Sequence, residues 1–368
     1  MKNNDMKNNE VKLVIDNGKG QYAIAGWTQL SITRGIERIP NSFNLQMSEK
    51  VPDLDYVEVI PGDKCTVFIG EDVVVTGYID RFTNTVNANQ HIIQVTGRGK
   101  CSDLVDCSAV WKGMQFKNMT ALNIAQSLCE DFGIKVASEV DTEVISVQNI
   151  NLGETPAAVL DRVCRVAQVL YYEDENGDLI LSRERNDEVL GSLVEGVNIE
   201  SAAYTKGTDQ LYSDYIVVIP SAPLTRDQTS SDNIGYYTVK DRKINRFRPL
   251  YIIPEDGDAG FKVAEKRAMW EQNRRYARSN VLSLTVSSWR NVEDKLYKPN
   301  TQVQINIPSL KVIMQTWLIG EVTYRKDEMG TRCDFIIMPI GAFTPEPIIP
   351  FKGLPTDVVN ANLGDPQQ

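Results

Sequence analysis

Histidine is almost missing: His91 is the only one in 368 residues, and none of the six cysteines (Cys65, Cys101, Cys107, Cys129, Cys164, Cys333) belongs to a Cys-x-x-Cys pair. That excludes the usual zinc centres built from Cys and His. The scattered cysteines fall at apolar positions of predicted strands and helices and are expected as buried thiols. No apolar run approaches the roughly 20 residues needed to cross a bilayer, so no membrane insertion is expected. Met1-Lys2-Asn3-Asn4-Asp5 lacks the apolar core of a signal peptide, and the expected place of synthesis and folding is the cytoplasm.

Recognisable catalytic arrangements are lacking too. There is no Gly-x-Ser-x-Gly elbow, no phosphate-cradling Gly-x-x-x-x-Gly-Lys and no His pair for a metal. Gly97-Arg98-Gly99-Lys100 has neither the spacing nor the following Ser/Thr of a phosphate loop and reads as a domain junction. Asp174-Glu175-Asn176-Gly177-Asp178 has the look of a calcium loop, but Tyr172 and Arg183 stand where its first and last carboxylates belong. Asp53 and Asp55 read as solvated surface in an acidic chain. The catalytic, cofactor-binding and metal-binding residues expected are therefore none. A glycan hydrolase stays open as a reading, because it needs only two carboxylates that sequence spacing does not reveal.

What is present is an ordinary soluble composition, 42% hydrophobic and 24% charged, in a chain long enough for two or three domains. The net charge of −10 disfavours nonspecific nucleic-acid binding. Residues 1–10 are polar and expected to be disordered.

From Tyr56 to Gly99 the chain reads as β structure. Pro61-Gly62-Asp63 is a turn; Cys65, Val67 and Ile69 alternate with polar residues, Val73 to Phe82 continues through Gly77, and His91 to Thr96 alternates again. Near the C-terminus Val303, Ile305 and Ile307 alternate, Trp317-Leu318-Ile319-Gly320-Glu321-Val322 matches Val74-Val75-Thr76-Gly77-Tyr78-Ile79, and Arg332 to Met338 closes the series. This predicts one β module used twice, with Gly77 and Gly320 at equivalent bends of two curled, barrel-like sheets. Against it stands the fact that short hairpins resemble one another by chance.

Between the copies the period changes. Leu122, Ile124, Ala125, Leu128, Cys129 and Phe132 share a helical face behind Thr120 as N-cap, with Gly133 to end the helix. A second helix starts at Thr155-Pro156, and Leu170-Tyr171-Tyr172, Asn176-Gly177 and Leu179-Ile180-Leu181 predict a hairpin with a type I′ turn. Residues 258–279 read as a loosely amphipathic helix, following a polar loop over Pro220 to Gly235. Arg242, Lys243, Arg246 and Arg248 precede that helix, which carries Arg267, Arg274, Arg275 and Arg278; this basic patch is a solvated face or, if it docks anything, a site for an acidic protein. Four prolines after Gly341 (Pro345, Pro347, Pro350, Pro355) predict an extended tail.

The expected organisation is mainly β with an α+β insert. Residues 11–98 form a first antiparallel β-barrel-like domain, 99–190 an α+β domain, 191–343 a second barrel-like domain with helix 258–279 inserted, and 344–368 a Pro-rich tail. The order of these parts carries a resemblance. The N-terminal β domain, the Thr-Ala-Leu-x-Ile-Ala helix, the Tyr-Tyr-Glu-Asp-Glu-Asn-Gly-Asp-Leu hairpin, Ser288-Trp289 and Leu296-Tyr297-Lys298-Pro299-Asn300 follow in turn from Val11 to Phe343. In this the chain resembles the baseplate hub proteins of Mu-like contractile-tailed phages and prophages. The resemblance implies a non-enzymatic homotrimer of the virion tail baseplate, assembled in the host cytoplasm. It also implies a six-part ring that joins the tail tube to the central spike, touches other baseplate proteins and lets DNA pass. Kinship with the spike-base proteins of type VI secretion is implied as well. The alternatives are a phage-derived cell-wall or glycan hydrolase, and a carbohydrate-binding β module, for which Tyr236, Tyr237 and Trp289 are too few.

Overall fold

Backbone pairing in a computed structural model organises the chain around one large sheet; the structure describes residues 9–48, 59–88, 91–110, 113–220, 234–253 and 261–346. Residues 1–8, the pair Asp53 and Asp55, most of the Pro220 to Gly235 loop, the first residues of the expected 258–279 helix and the tail from 347 lie outside the described residues.

The N-terminal module has seven strands: β1 (Val11–Asp16), β2 (Gln21–Ile24), β3 (Gln29–Gly35), β4 (Ser42–Ser48), β5 (Lys64–Ile69), β6 (Asp72–Val86) and β7 (His91–Gly99). They lie in the order β2-β1-β5-β6-β7-β4-β3. The α+β unit follows with α1 (Ser102–Asp106), β8 (Gln115–Thr120), α2 (Ala121–Cys129), β9 (Val136–Ser138), β10 (Val144–Asn149), α3 (Pro156–Ala167), β11 (Leu170–Glu173) and β12 (Leu179–Ser182). Then come β13 (Val189–Val194), β14 (Ile199–Lys206), β15 (Asp214–Pro220), β16 (Ile234–Lys240), β17 (Pro249–Ile252), α4 (Phe261–Arg278), β18 (Asn280–Val286), β19 (Gln302–Ile307), β20 (Val312–Asp327) and β21 (Gly330–Met338).

Local chemistry sets the helix ends. The Thr120 hydroxyl accepts the Asn123 N–H at 3.3 Å and Thr155 accepts that of Ala158 at 3.2 Å, each satisfying a donor the helix leaves unpaired. Gly133 at φ 65° closes the turn after α2. The β11–β12 hairpin differs from the expected type I′ turn: only Gly177 has positive φ, and the Asp174 carboxylate accepts the N–H groups of Asn176 and Asp178 at 2.8 Å each. That side-chain cap holds a longer loop and removes the need for a left-handed Asn176.

Five strands of the β module do occur twice in the same order, while the strand beyond them differs: β1 lies antiparallel to β5 and β13 parallel to β19. The second copy runs β19-β20-β21-β18-β14, the counterpart of β5-β6-β7-β4-β3. Bulges coincide: β5 and β6 slip between Val67 and Phe68, β19 and β20 between Ile305 and Ile307. β6 and β7 slip between Ile79 and Arg81, β20 and β21 between Ile319 and Glu321. Ile79 thus corresponds to Ile319, and Asp80 to Gly320.

Two expectations are corrected by this pairing. Gly77 and Gly320 are not equivalent; Gly77 faces Gly99 three residues before the bulge, and Gly320 is the bulged residue itself. The two modules are also not separate closed barrels. β3 pairs antiparallel with β20 from Leu30–Lys326 to Gly35–Glu321, so one 13-stranded sheet runs through both copies, and its pairings close on themselves in neither. The physical reason is that β3 satisfies its second edge on the other copy rather than on its own.

A 38-residue apolar cluster, with Trp289 and Tyr324 at its centre, lines this sheet; the α+β unit has its own core around Phe116, Ile124, Val159 and Leu160. β15, β16 and β17 form a small separate sheet under α4, packed through Tyr215, Val217, Ile252, Ala264 and Ala268.

Candidate functional site

Among the described residues no group of three or more His, Cys, Asp or Glu side chains stands close enough to hold a metal ion. Five of the six cysteines are buried, and burial pushes the Cys65 and Cys129 thiols up to about 12, which makes them poor nucleophiles. The Asp174–Asp178 stretch is a hairpin loop whose own carboxylate is occupied by backbone N–H groups. No helix of the described residues is long and apolar enough to cross a membrane.

What the fold does build is a junction. The loop of the β11–β12 hairpin enters where the two β modules meet. Glu173, 2% exposed, accepts the backbone N–H of Asn41 at 2.6 Å and of Cys101 at 2.8 Å, and the Asn41 side-chain amide donates to the Glu173 carbonyl at 3.0 Å. Burial pushes the Glu173 carboxyl up to about 7, against the two N–H groups and Arg34, which favour its charge. The carboxylate fills the space beside Gly99, where a Cβ would overlap it, so glycine is required there by close approach rather than by a turn.

Next along the loop, Glu175 meets the buried Arg34 of β3 at 2.8 Å and accepts the Thr76 hydroxyl at its carbonyl at 3.0 Å. Burial alone would raise the Glu175 carboxyl, but Arg34 and Lys298 pull it below its ordinary value. Asn300 ties β12 in as well, receiving the Arg185 N–H at 3.0 Å and donating to the Arg183 carbonyl at 3.0 Å. Gly97-Arg98-Gly99-Lys100, read as a junction, lies within this region.

The basic stretch is largely engaged within the chain. Arg275 pairs with Glu271 at 2.6 Å, Arg278 and Arg274 reach Glu37, and Arg267 pairs with Glu346. Trp270 and Arg274 both donate to the Thr344 carbonyl, at 2.8 and 3.1 Å. α4 therefore clamps the residues after Gly341, and Phe343, 1% exposed, packs with Ile36, Leu318 and Ala277. The tail does not start out extended as expected: Ile340–Ala342 is a 3-10 turn and Phe343 is helical in backbone, and Ala342 and Phe343 belong to the core.

The sheet also leaves edges. Among the described residues β14 pairs with β18 alone, and β6 beyond Ile79 pairs with β7 alone. The path runs β14-β18-β21-β20-β3-β4-β7-β6 and continues from the first half of β6 into β5. Sequence reading found neither Glu173 nor these edges.

Duplicated β modules joined in one sheet and locked by a hairpin define the architecture of this chain. Comparison with known proteins makes the class specific. Residues 10–99 match the N-terminal model of the Mu phage baseplate assembly protein GpP-like family, 101–183 the second domain of baseplate hub protein gp44-like, and 260–346 the fourth domain of GpP. The chain is 31% identical over 330 residues to the baseplate hub protein gp44 of Escherichia phage Mu, covering 86% of each. It is similar to the 43 kDa tail protein of prophage MuSo2 from Shewanella oneidensis, with TM-score 0.80, 30% identity, and 92% of this chain and 100% of that one covered. The fold is shared with the tail protein from Neisseria meningitidis MC58, with TM-score 0.74, 19% identity, and 91% and 98% covered. The chain belongs to the Mu-like phage baseplate hub family. It is a structural protein of the phage tail, located in the virion baseplate.

Proposed function

We propose that three copies of this chain close into a ring between the tail tube and the central spike, each β module supplying one of six similar blocks. The observation that carries this reading is the five-strand repeat: two blocks per chain let a threefold assembly present a nearly sixfold face. Other baseplate proteins, the spike and the tube are the partners. DNA passes through the opening without being held, because a chain of net charge −10 repels it. Light scattering at micromolar concentration tests the reading and should return about three times the 41.3 kDa chain mass. A monomer or a dimer overturns it, and a monomer that degrades peptidoglycan would restore the hydrolase.

A further inference from the structure

We propose that the run Pro347-Ile348-Ile349-Pro350-Phe351 turns back within its own chain and fills the cleft between α3, the β3–β4 connection and α4. Filled in this way, the cleft seals the α+β unit against the second β module, whether or not copies close into a ring.

Four segments meet there. Ile36 and Ile39 come from the β3–β4 connection, Val169 and Leu170 from the chain between α3 and β11 and the first residue of β11, and Trp270 from α4. The chain itself runs along the cleft at Pro345 and Glu346 before it leaves the described residues. The space amounts to about 370 Å³. A leucine-lined cavity of about 150 Å³ already takes a benzene ring, so two large apolar side chains fit here.

The wall narrows the chemistry of the occupant. Arg38 pairs with Glu321 at 3.2 Å, and Arg274 pairs with Glu37 at 3.5 Å and donates to the Thr344 carbonyl. Glu346 pairs with Arg267, the Asp161 carboxylate accepts the Tyr171 hydroxyl, and Arg165 is engaged as well. A charged ligand would have to compete with these pairs, whereas an apolar one only displaces water from Ile36, Ile39, Val169, Leu170 and Trp270.

The sequence supplies such an occupant at the place where the cleft begins. Pro347–Phe351 is five apolar residues in a row, the longest such run in residues 347–368, and it starts directly after Glu346. Apolar runs of that length need cover in a folded protein. At up to about 3.6 Å per residue, Ile348 and Ile349 stand within about 11 Å of Glu346, so the run reaches the cleft without a linker. Two of its five residues are prolines without an N–H, so burying it takes only three backbone donors out of water.

Two measurements test the proposal. In thermal unfolding at fixed protein concentration, truncation after Phe351 should match the full chain, and truncation after Glu346 should lower the melting temperature by at least about 2 °C. The double substitution Ile348→Ser and Ile349→Ser in the full chain should reproduce most of that loss. Equal melting temperatures for the two truncations overturn the proposal. Cysteine pairing then locates the run, in a Cys107→Ser background that removes the one exposed native thiol. Ile349→Cys is combined in one chain with Arg165→Cys or Leu170→Cys, both lining the cleft, and oxidised with copper–phenanthroline. At least one pair should close a disulfide within the chain at least tenfold faster than Ile349→Cys combined with Val147→Cys, an exposed position on β10. Background rates from both lining positions overturn the proposal. So does a disulfide that joins two chains, which would place the run on a neighbouring copy.

Discussion

Glu173 gives the sharpest prediction, because its position makes stability depend on pH in an unusual direction. Most native carboxylates are held below their unfolded pKa, and proteins lose that stability on acidification. Here burial is the largest influence and raises the carboxyl to about 7, against an ordinary value near 4.3. Between those values the folded protein binds a proton that the unfolded chain has released. The contribution is fully present below the unfolded pKa and is lost as pH rises through about 7. A gap of roughly 2 to 3 pK units corresponds to about 3 kcal/mol. Glu173→Gln removes the titration but places an amide N–H against one of the two backbone donors, from Asn41 or Cys101, at a cost of about 1 to 3 kcal/mol independent of pH. Urea unfolding at fixed protein concentration, at several pH values from 5 to 8, should therefore show the variant clearly weaker than wild type at pH 5. The gap should close by about 2 kcal/mol or more towards pH 8. Parallel curves, with a constant difference across the range, would show that the buried carboxylate does not titrate there, and the reasoning would fall.

The two glycines should fail for different reasons. At Gly77 an added Cβ would overlap the Arg98 carbonyl oxygen and lie 2.5 Å from Gly99 Cα, backbone that cannot step aside, so Gly77→Ala should cost more than about 3 kcal/mol in urea unfolding. At Gly320 the obstacle is the Phe343 ring, 2.6 Å away, so Gly320→Ala should cost about 1 to 3 kcal/mol and be partly rescued by Phe343→Leu. No rescue would mean that the bulge itself, not the ring, requires glycine. Truncation after Gly341 should lower the melting temperature because it removes Phe343 and the Thr344 carbonyl that Trp270 and Arg274 share. Truncation after Glu346 keeps these contacts, and an equal loss from both would refute that explanation.

Much of this arrangement was legible because it follows from local pattern. Alternation marked the strands, Thr120, Thr155-Pro156 and Gly133 marked the helix ends, and the recurrence of β5 to β7 was visible as a repeat. The error lay in its alignment: the match of apolar residues around Gly77 and Gly320 is off by three, because equivalence is set by bulges that no residue type announces. Separate barrels were expected because each module was read alone, whereas the β3–β20 contact joins segments nearly 300 residues apart, as the span of 290 between Thr33 and Thr323 shows. Glu173 was invisible as a junction residue for the same reason. In sequence it is one acid in a polar hairpin, and its donors lie 132 and 72 positions away.

The β3 edge of the module is joined within the chain, whereas its counterpart β14 is not, and the two differ in what stands behind them. Behind the internal joint Arg34 is 4% exposed and ion-paired with Glu175, and the hairpin that carries Glu175 is fixed by Glu173 to both Asn41 and Cys101. Glu175 also meets Lys298 at 3.7 Å, so the hairpin ties the joint to residues on both sides of it. At the equivalent place β14 carries Lys206, which is exposed, and no hairpin of the described residues reaches it. One edge of the module is therefore fixed within the chain and backed by the hairpin, and its counterpart in the second copy has no such support among the described residues.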